Sequence, residues 1–180
     1  MNVMQLLLSA HSTVMRDKVV AYIGKDARRF ASLIDHFLHG SEMIQQRAGW
    51  PLSHCVVHHP HLIKPHLGKV IRNLRKDELH DAVKRNTMRL LQFVAIPTSL
   101  QGEVAVRCFD YLSDPKEPIA VRVFAMSVLA CIAQEQPELQ TELRLILEDQ
   151  MPFASAGFTS RARKTLKQLD KMKGARKGKK

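Results

Sequence analysis

The sequence predicts an all-α fold in which helix pairs stack into a solenoid, and three observations favour it. Apolar residues recur every three to four positions, the spacing of one helix face, and no segment alternates as a β-strand would. Pro60, Pro97 and Pro137 each follow one helix and open the next, where a missing N–H costs nothing. These prolines recur at intervals of roughly 40 residues, a period typical of helical repeat proteins.

Three apolar stripes justify individual helices. One stripe lies between residues 61 and 75, and the other two follow at similar intervals along the chain. Each stripe runs along one side of a helix, so each is expected to face the core. In chain order the stripes are Ile63, Leu67, Val70, Ile71 and Leu74; Val83, Thr87, Leu90, Leu91 and Val94; and Val121, Phe124, Ala125, Val128, Leu129 and Ile132.

The turns divide the helical region into consecutive units. Each unit comprises a helix, a proline turn and a second helix, and neighbouring units must stack to bury their apolar faces. Residues 1–40 are expected to form a helical N-terminal cap. Residues 173–180 are basic and lack an apolar anchor, so they are expected to be a disordered tail. Within 41–172 the expected repeats are 41–79, 80–118, 119–156 and a partial repeat at 157–172.

Local signals place further elements in the first part of the chain. The pattern predicts helices near 13–23 and 27–38 within the cap. Asp26 is a suitable N-cap for the second of them, and Gly40 is a suitable C-terminal stop. In the first repeat, Pro51 falls inside a predicted helix and is expected to kink it, because proline removes a helical hydrogen bond.

The segment Ile119–Leu129 resembles the second-helix signature of HEAT repeats, in which a Val-Arg pair precedes small and large apolar residues. Asp114-Pro115 resembles the turn between the paired helices, and the resemblance covers roughly residues 41–169. It implies a right-handed α-α superhelix of the armadillo type, with three to four helix pairs that bind proteins or, less often, nucleic acids. It also implies a structural role for Arg122, expected to pair with an acid across the repeat junction, Asp114 being the natural candidate.

The net charge of +11 comes from 28 Lys and Arg against 17 Asp and Glu, and it is unevenly placed. The C-terminal segment from residue 161 is strongly basic, a second basic patch spans residues 64–89, and residues 90–160 are acidic. Phosphate contacts by such a patch would give affinity without sequence choice and a steep salt dependence. An ordinary solvated helix face is the competing interpretation. The candidate polyanion-binding residues are Lys64, Lys69, Arg72, Arg75, Lys76, Lys84, Arg85 and Arg89.

Histidines cluster at residues 54–66. The pairs His54 with His58 and Cys55 with His59 have the i, i+4 spacing that can supply two zinc ligands. A zinc site usually needs three or four ligands, and no second motif of metal-ligand spacing accompanies these pairs. No metal and no cofactor is therefore predicted, although the histidine cluster leaves the question open.

The chain has no nucleophile elbow, phosphate-binding loop or dinucleotide fingerprint, so an enzyme is not predicted. One subfamily of HEAT-like proteins excises alkylated bases from DNA, which makes an alkylpurine DNA glycosylase the last-ranked alternative. The three cysteines do not form a disulfide framework, and no run approaches the roughly 20 apolar residues of a membrane helix. We therefore expect a cytoplasmic protein with no membrane association.

The predicted function is that of a non-catalytic, monomeric scaffold that binds a protein partner through the solenoid surface. The basic surface at 61–89 and the acidic surface at 90–150 would orient that partner. The alternative is nucleic-acid binding through the 64–89 patch and the C-terminal tail together. A protein scaffold should show a groove with an apolar floor and mixed charge, whereas a nucleic-acid binder should place the patch residues on one continuous surface.

Overall fold

The computed structural model describes residues 2–9 and 11–177, with the backbone alone for residues 175–177. This part of the chain contains ten α-helices and two short 3-10 segments, and it contains no strand. The all-α prediction is confirmed. The chain divides into two compact units, Met1–Ala95 (unit 1) and Ile96–Lys180 (unit 2).

Unit 1 contains the first six helices of the described chain. They are α1 (Val3–Ser9), α2 (Thr13–Ile23), α3 (Ala27–His39), α4 (Glu42–His58), α5 (Leu67–Asn73) and α6 (Asp81–Leu91).

The helices predicted near 13–23 and 27–38 are confirmed as α2 and α3. The side chain of Asp26 accepts hydrogen bonds from the backbone N–H groups of Arg28 and Arg29, at 2.8 and 3.0 Å. These bonds satisfy donors that a helix leaves free in its first turn, and the bond from Arg29 in particular lowers the pKa of Asp26. Gly40 follows the last residue of α3, as predicted.

Helix α4 lies at the centre of unit 1, where it packs against α2, α3 and α6. Its contact with α6 is close because Gly49 has no side chain: a Cβ there would lie 2.8 Å from the Nδ2 atom of Asn86. Pro51 lies inside α4, as the sequence indicates, and the helix continues to His58.

The segment between residues 61 and 75 is not one continuous α-helix. Residues Pro60–His66 form a 3-10 helix, and α-helical geometry begins only at Leu67. Pro65 interrupts the segment because it lacks an N–H and disfavours α-helical geometry in the residue before it. The apolar stripe is nevertheless buried along its whole length, as predicted.

Unit 2 contains α7 (Thr98–Ser113), α8 (Ile119–Glu135), α9 (Leu139–Gln150) and α10 (Ala156–Lys177). Helix α8 is its centre and packs more extensively against α7, which precedes it, than against α9, which follows it. Helix α8, which carries Val121 and Arg122, is therefore the second helix of the closely packed pair α7 and α8. The repeat boundaries themselves stay a prediction.

The C-terminal helix extends past the point where the basic tail was expected to begin. Helix α10 continues through residue 173 to Lys177, so this part of the expected tail has helical backbone. The last three residues of the expected tail, 178–180, lie outside the described residues.

The second and third apolar stripes also lie largely in the core, although Val94 and Phe124 are only half-buried. The nearby Phe93 is not a core residue, since 47% of its surface is exposed. Phe93 lies beyond Leu91, where α6 ends, and so falls off the helical stripe that packs inward.

Candidate functional site

Unit 2 contains a groove of about 580 Å³ between α7 and α9. The end of α8 contributes its floor through Ile132, which is buried. Gly102 lies in the wall formed by α7, and a Cβ at this position would enter open space. The lining residues are Thr98, Gln101, Gly102, Ala105, Val106, Phe109, Asp110, Ile132, Gln136, Glu138, Leu139 and Glu142.

The groove combines apolar surface with negative charge. Val106 is 64% exposed, and Phe109 is half-buried on the same helix. Three of the lining residues carry carboxylates, all of them exposed: Asp110 on α7, Glu138 just before α9, and Glu142 on α9. The groove therefore has the apolar floor expected of a protein-binding surface, but its ionisable lining groups are all acidic.

One end of the groove is fixed by a hydrogen-bond network around the buried side chain of Gln101. Its amide nitrogen donates to the carbonyl of Ile96 at 3.0 Å and to the carboxylate of Glu135 at 2.6 Å. Its amide oxygen accepts from Gln136 at 2.9 Å. This network ties α7 to the end of α8 and holds the groove in a defined shape before any ligand binds.

All eight predicted polyanion-binding residues lie in unit 1. Six of them are exposed, while Lys84 and Arg89 are half-buried. The Nζ atom of Lys84 lies 3.5 Å from the carboxylate of Asp81. The patch residues are spread over two parts of the unit. Lys64 lies in the 3-10 segment, Lys69 and Arg72 lie on α5, Arg75 and Lys76 follow it, and the other three lie on α6.

A second cationic group, here called the Trp50 cluster, brings α2, α4 and α6 together; it comprises Arg16, Trp50, His54, Arg85 and Arg89. The Arg16 guanidinium lies over the Trp50 ring, with its carbon 4.8 Å from the ring centroid. The His54 ring meets the Trp50 ring edge-on at 6.4 Å between centroids. The Nη2 atom of Arg89 lies 3.3 Å from the Nε2 atom of His54.

Charges within the Trp50 cluster repel one another. Burial lowers the pKa of Arg89, and the charges of Arg16 and Arg85 lower it further. Burial likewise lowers the pKa of His54, and the neighbouring Arg89 and Arg16 add to the shift. The carboxylate of Asp17, which pairs with Arg16 at 2.7 Å, acts in the opposite direction and raises the pKa of His54.

Sequence reasoning missed Arg16 and Trp50 as members of a site. Arg16 falls in the segment predicted to be the N-terminal cap, and none of the candidate sites in the sequence includes Trp50. One local signal was available, since Trp50 and His54 have the i, i+4 spacing that puts two side chains on one helix face. No spacing in the sequence relates either residue to Arg89.

A family model described as HEAT repeat domain matches residues 4–169. The chain belongs to the HEAT repeat family. The match begins inside the segment 1–40 that the sequence analysis assigned to a cap. No curated protein and no solved structure gives a significant match. HEAT repeats are generally protein-interaction scaffolds and typically non-catalytic.

Arg122, the arginine of the Val-Arg pair in this HEAT repeat chain, is buried and links several elements of unit 2. Its Nε donates to the Leu112 carbonyl at 3.3 Å, and its Nη2 donates to the Gln150 side chain at 2.7 Å. The guanidinium carbon lies 4.8 Å from the centroid of the Phe158 ring. Burial lowers the pKa of Arg122, and the predicted partner Asp114 opposes that shift through its charge.

The histidine cluster of the HEAT repeat chain does not converge with other ligands. Among the residues that the structure describes, no three His, Cys, Asp or Glu side chains are grouped to hold a metal ion. The thiols of Cys55 and Cys108 are buried, whereas that of Cys131 is exposed. Within the described residues, no helix is both long enough and apolar enough to cross a membrane.

Proposed function

We propose that this HEAT repeat chain is a non-catalytic, monomeric scaffold that binds a basic, amphipathic segment of a protein partner in the groove of unit 2. The observation that carries the proposal is the combination of an apolar floor with three exposed carboxylates, with no basic residue among the described residues that line the groove. An apolar face would displace water from Val106 and Phe109, while lysine or arginine side chains would meet the carboxylates.

The shape of the groove favours a helical segment as the ligand. The groove runs between two helices, and an amphipathic helix places anchors at i, i+3 or i+4 and i+7 along one face. A volume of about 580 Å³ lies within the range of preformed ligand pockets and holds only a few anchor side chains. The network around Gln101 limits the entropy lost on binding, because that end of the groove is already ordered.

The test is isothermal titration calorimetry with a synthetic amphipathic helix of about four turns, with leucine on one face and lysine on the other. A twin peptide with glutamate in place of lysine is the charge control. We expect the lysine peptide to bind and the glutamate peptide to have a dissociation constant at least tenfold higher. That ratio corresponds to a difference of about 1.4 kcal/mol in binding free energy.

Three variants test the location of binding. Gly102→Phe should block the groove, because its side chain would enter open space in the groove wall. The double variant Asp110→Asn with Glu142→Gln should weaken binding by removing two carboxylates. Asp149→Asn, at an exposed position on α9 outside the groove, is the matched control and should bind like the parent. Equal binding of both peptides, or of all variants, would contradict the proposal.

Polyanion binding through residues 64–89 and the C-terminal tail is the second candidate, favoured by the exposure of six of the eight patch residues. Fluorescence anisotropy with labelled duplex DNA and single-stranded RNA at two salt concentrations tests it. A variant with the basic residues after 172 replaced by glutamine separates the tail from the patch. If binding persists in this variant and weakens as salt is added, residues 64–89 form the polyanion site. If binding is lost when the tail residues are replaced, these residues do not bind nucleic acid by themselves.

A further inference from the structure

The Trp50 cluster joins half-buried cations from two helices that are distant in sequence. The Arg16 side chain on α2 is 19% exposed, and Arg89 on α6 is also half-buried. Both reach the same face of α4, where Arg16 lies over Trp50 and Arg89 contacts His54. Among the described residues, the charged groups that act on this small region are therefore three arginines (Arg16, Arg85 and Arg89) and the carboxylate of Asp17.

Such an arrangement is unfavourable in the protein alone. Half-buried guanidinium groups lose part of their hydration, and their mutual repulsion is weakly screened away from bulk water. The contact with His54 satisfies one N–H group of Arg89, but a neutral imidazole does not neutralise the charge of the guanidinium. An anion placed between the two guanidinium groups would remove the repulsion and accept several charge-assisted hydrogen bonds.

We propose that Arg16, His54 and Arg89 bind a backbone phosphate of single-stranded nucleic acid, with Trp50 beside it as the surface for a base. This site is distinct from the groove of unit 2 and does not depend on protein binding there. Exposed cations of the same unit, including Arg85 and Arg72, would attract neighbouring phosphates of the strand.

Trp50 is what favours single strands over duplexes or phosphorylated peptides. An indole ring offers stacking surface to unpaired bases, which a duplex keeps within its own stack. Trp50 is half-buried and Arg16 lies over its ring, so a base would contact the part of the indole that stays exposed. A phosphopeptide supplies a phosphate but no base to contact the ring. Two guanidinium groups beside an aromatic ring therefore match the two parts of a nucleotide, its phosphate and its base.

Proton uptake should accompany binding at His54. The groups that face its ring are Arg89 from α6, Arg16 and Asp17 from α2, and His58 from α4. These surroundings lower the pKa of His54 below its usual value of 6.5. A bound phosphate favours the protonated ring, so it raises that pKa, and affinity should increase as the pH falls through this range.

The experiment uses intrinsic fluorescence, because Trp50 is the single tryptophan of the chain. Single-stranded oligouridylate is titrated into the full-length protein, and we expect the Trp50 emission to change saturably. Arg89→Gln and Arg16→Gln should each weaken binding about tenfold or more. Lys25→Gln and Arg28→Gln, at exposed positions of the same unit outside the Trp50 cluster and the 64–89 patch, are the matched controls and should each change affinity less than about threefold.

Several outcomes would overturn the proposal. One is an equal loss in the control variants, which would indicate diffuse electrostatic attraction without a site. Another is equal affinity for inorganic phosphate, a phosphoserine peptide or duplex DNA, which would remove the assignment to single strands. Far-UV circular dichroism verifies that each variant is folded. His54→Gln should bind the oligonucleotide at neutral pH but should not gain affinity as the pH falls. If the affinity of this variant depends on pH as that of the parent does, the proposal is also contradicted.

Discussion

The close approach of α4 and α6 at Gly49 predicts that Gly49→Ala destabilises unit 1, although alanine is the better helix former. An added Cβ would lie 2.8 Å from Nδ2 and 3.1 Å from Cβ of Asn86, and 3.1 Å from Cε2 of Phe37. Neither neighbour can yield easily. Phe37 is fully buried, and the Asn86 amide donates to the Ala82 carbonyl at 2.8 Å.

The magnitude follows from three contributions. Replacing a helical glycine with alanine stabilises by about 1 kcal/mol. Overpacking a well-packed contact costs about 1–3 kcal/mol, and breaking the Asn86 hydrogen bond costs about 1 kcal/mol more. We therefore expect Gly49→Ala to lower the free energy of unfolding by about 1–3 kcal/mol.

Gly68→Ala is the matched control within the same unit. Its Cβ would meet only the end of the Arg72 side chain, at 3.3 Å from Nη1, and that flexible group can move. We expect this variant to be unchanged or stabilised by about 0.5 kcal/mol. Urea unfolding monitored by circular dichroism and by Trp50 fluorescence measures both variants. If Gly49→Ala is as stable as Gly68→Ala, the packing argument is refuted.

Three further predictions concern other buried groups. The buried Thr87 hydroxyl has no hydrogen-bond partner among the residues that the structure describes. Thr87→Val should therefore raise the free energy of unfolding by about 1 kcal/mol in urea denaturation, and a loss of stability would show that the hydroxyl is satisfied. Burial raises the pKa of the Cys55 thiol from 9.0 to about 12. The buried neutral thiol therefore contributes fully to stability below pH 9, and this contribution is lost between pH 9 and about pH 12, where the thiol of the unfolded chain ionises first. In thermal denaturation over that pH range, the melting temperature of Cys55→Ala should fall less steeply with pH than that of the parent. Parallel plots of melting temperature against pH would show that ionisation of Cys55 does not limit stability. Arg122→Ala should destabilise unit 2 by about 2–4 kcal/mol, because its buried side chain donates two hydrogen bonds. Arg107→Ala, which removes a surface ion pair with Asp110, is the control and should cost under about 1 kcal/mol. Calorimetric melting measures both variants, and equal losses of stability would contradict the structural role of Arg122.

The sequence by itself determined the helices and much of the core. Apolar residues at i, i+3 and i+4 define a helix face, so the stripe from Ile63 to Leu74 is buried even where the backbone is 3-10 rather than α. Capping is equally local: Asp26 reaches the N–H groups two and three residues ahead of it, and any chain with that spacing can form the same bonds. The family resemblance rested on local pattern as well, through the Val-Arg pair of α8.

The tertiary structure decided which of those local elements meet. Arg16, Trp50 and Arg89 lie on three helices separated by long stretches of chain, and only the packing of α2 and α6 against α4 brings them within contact distance. The same holds for Arg122, whose contacts with Gln150 and Phe158 depend on where α9 and α10 lie. Helix periodicity and capping depend on residues a few positions apart, so the sequence shows them directly. Which side chains from different helices come into contact depends on how the helices pack, and the spacing of residues in the sequence does not specify that packing.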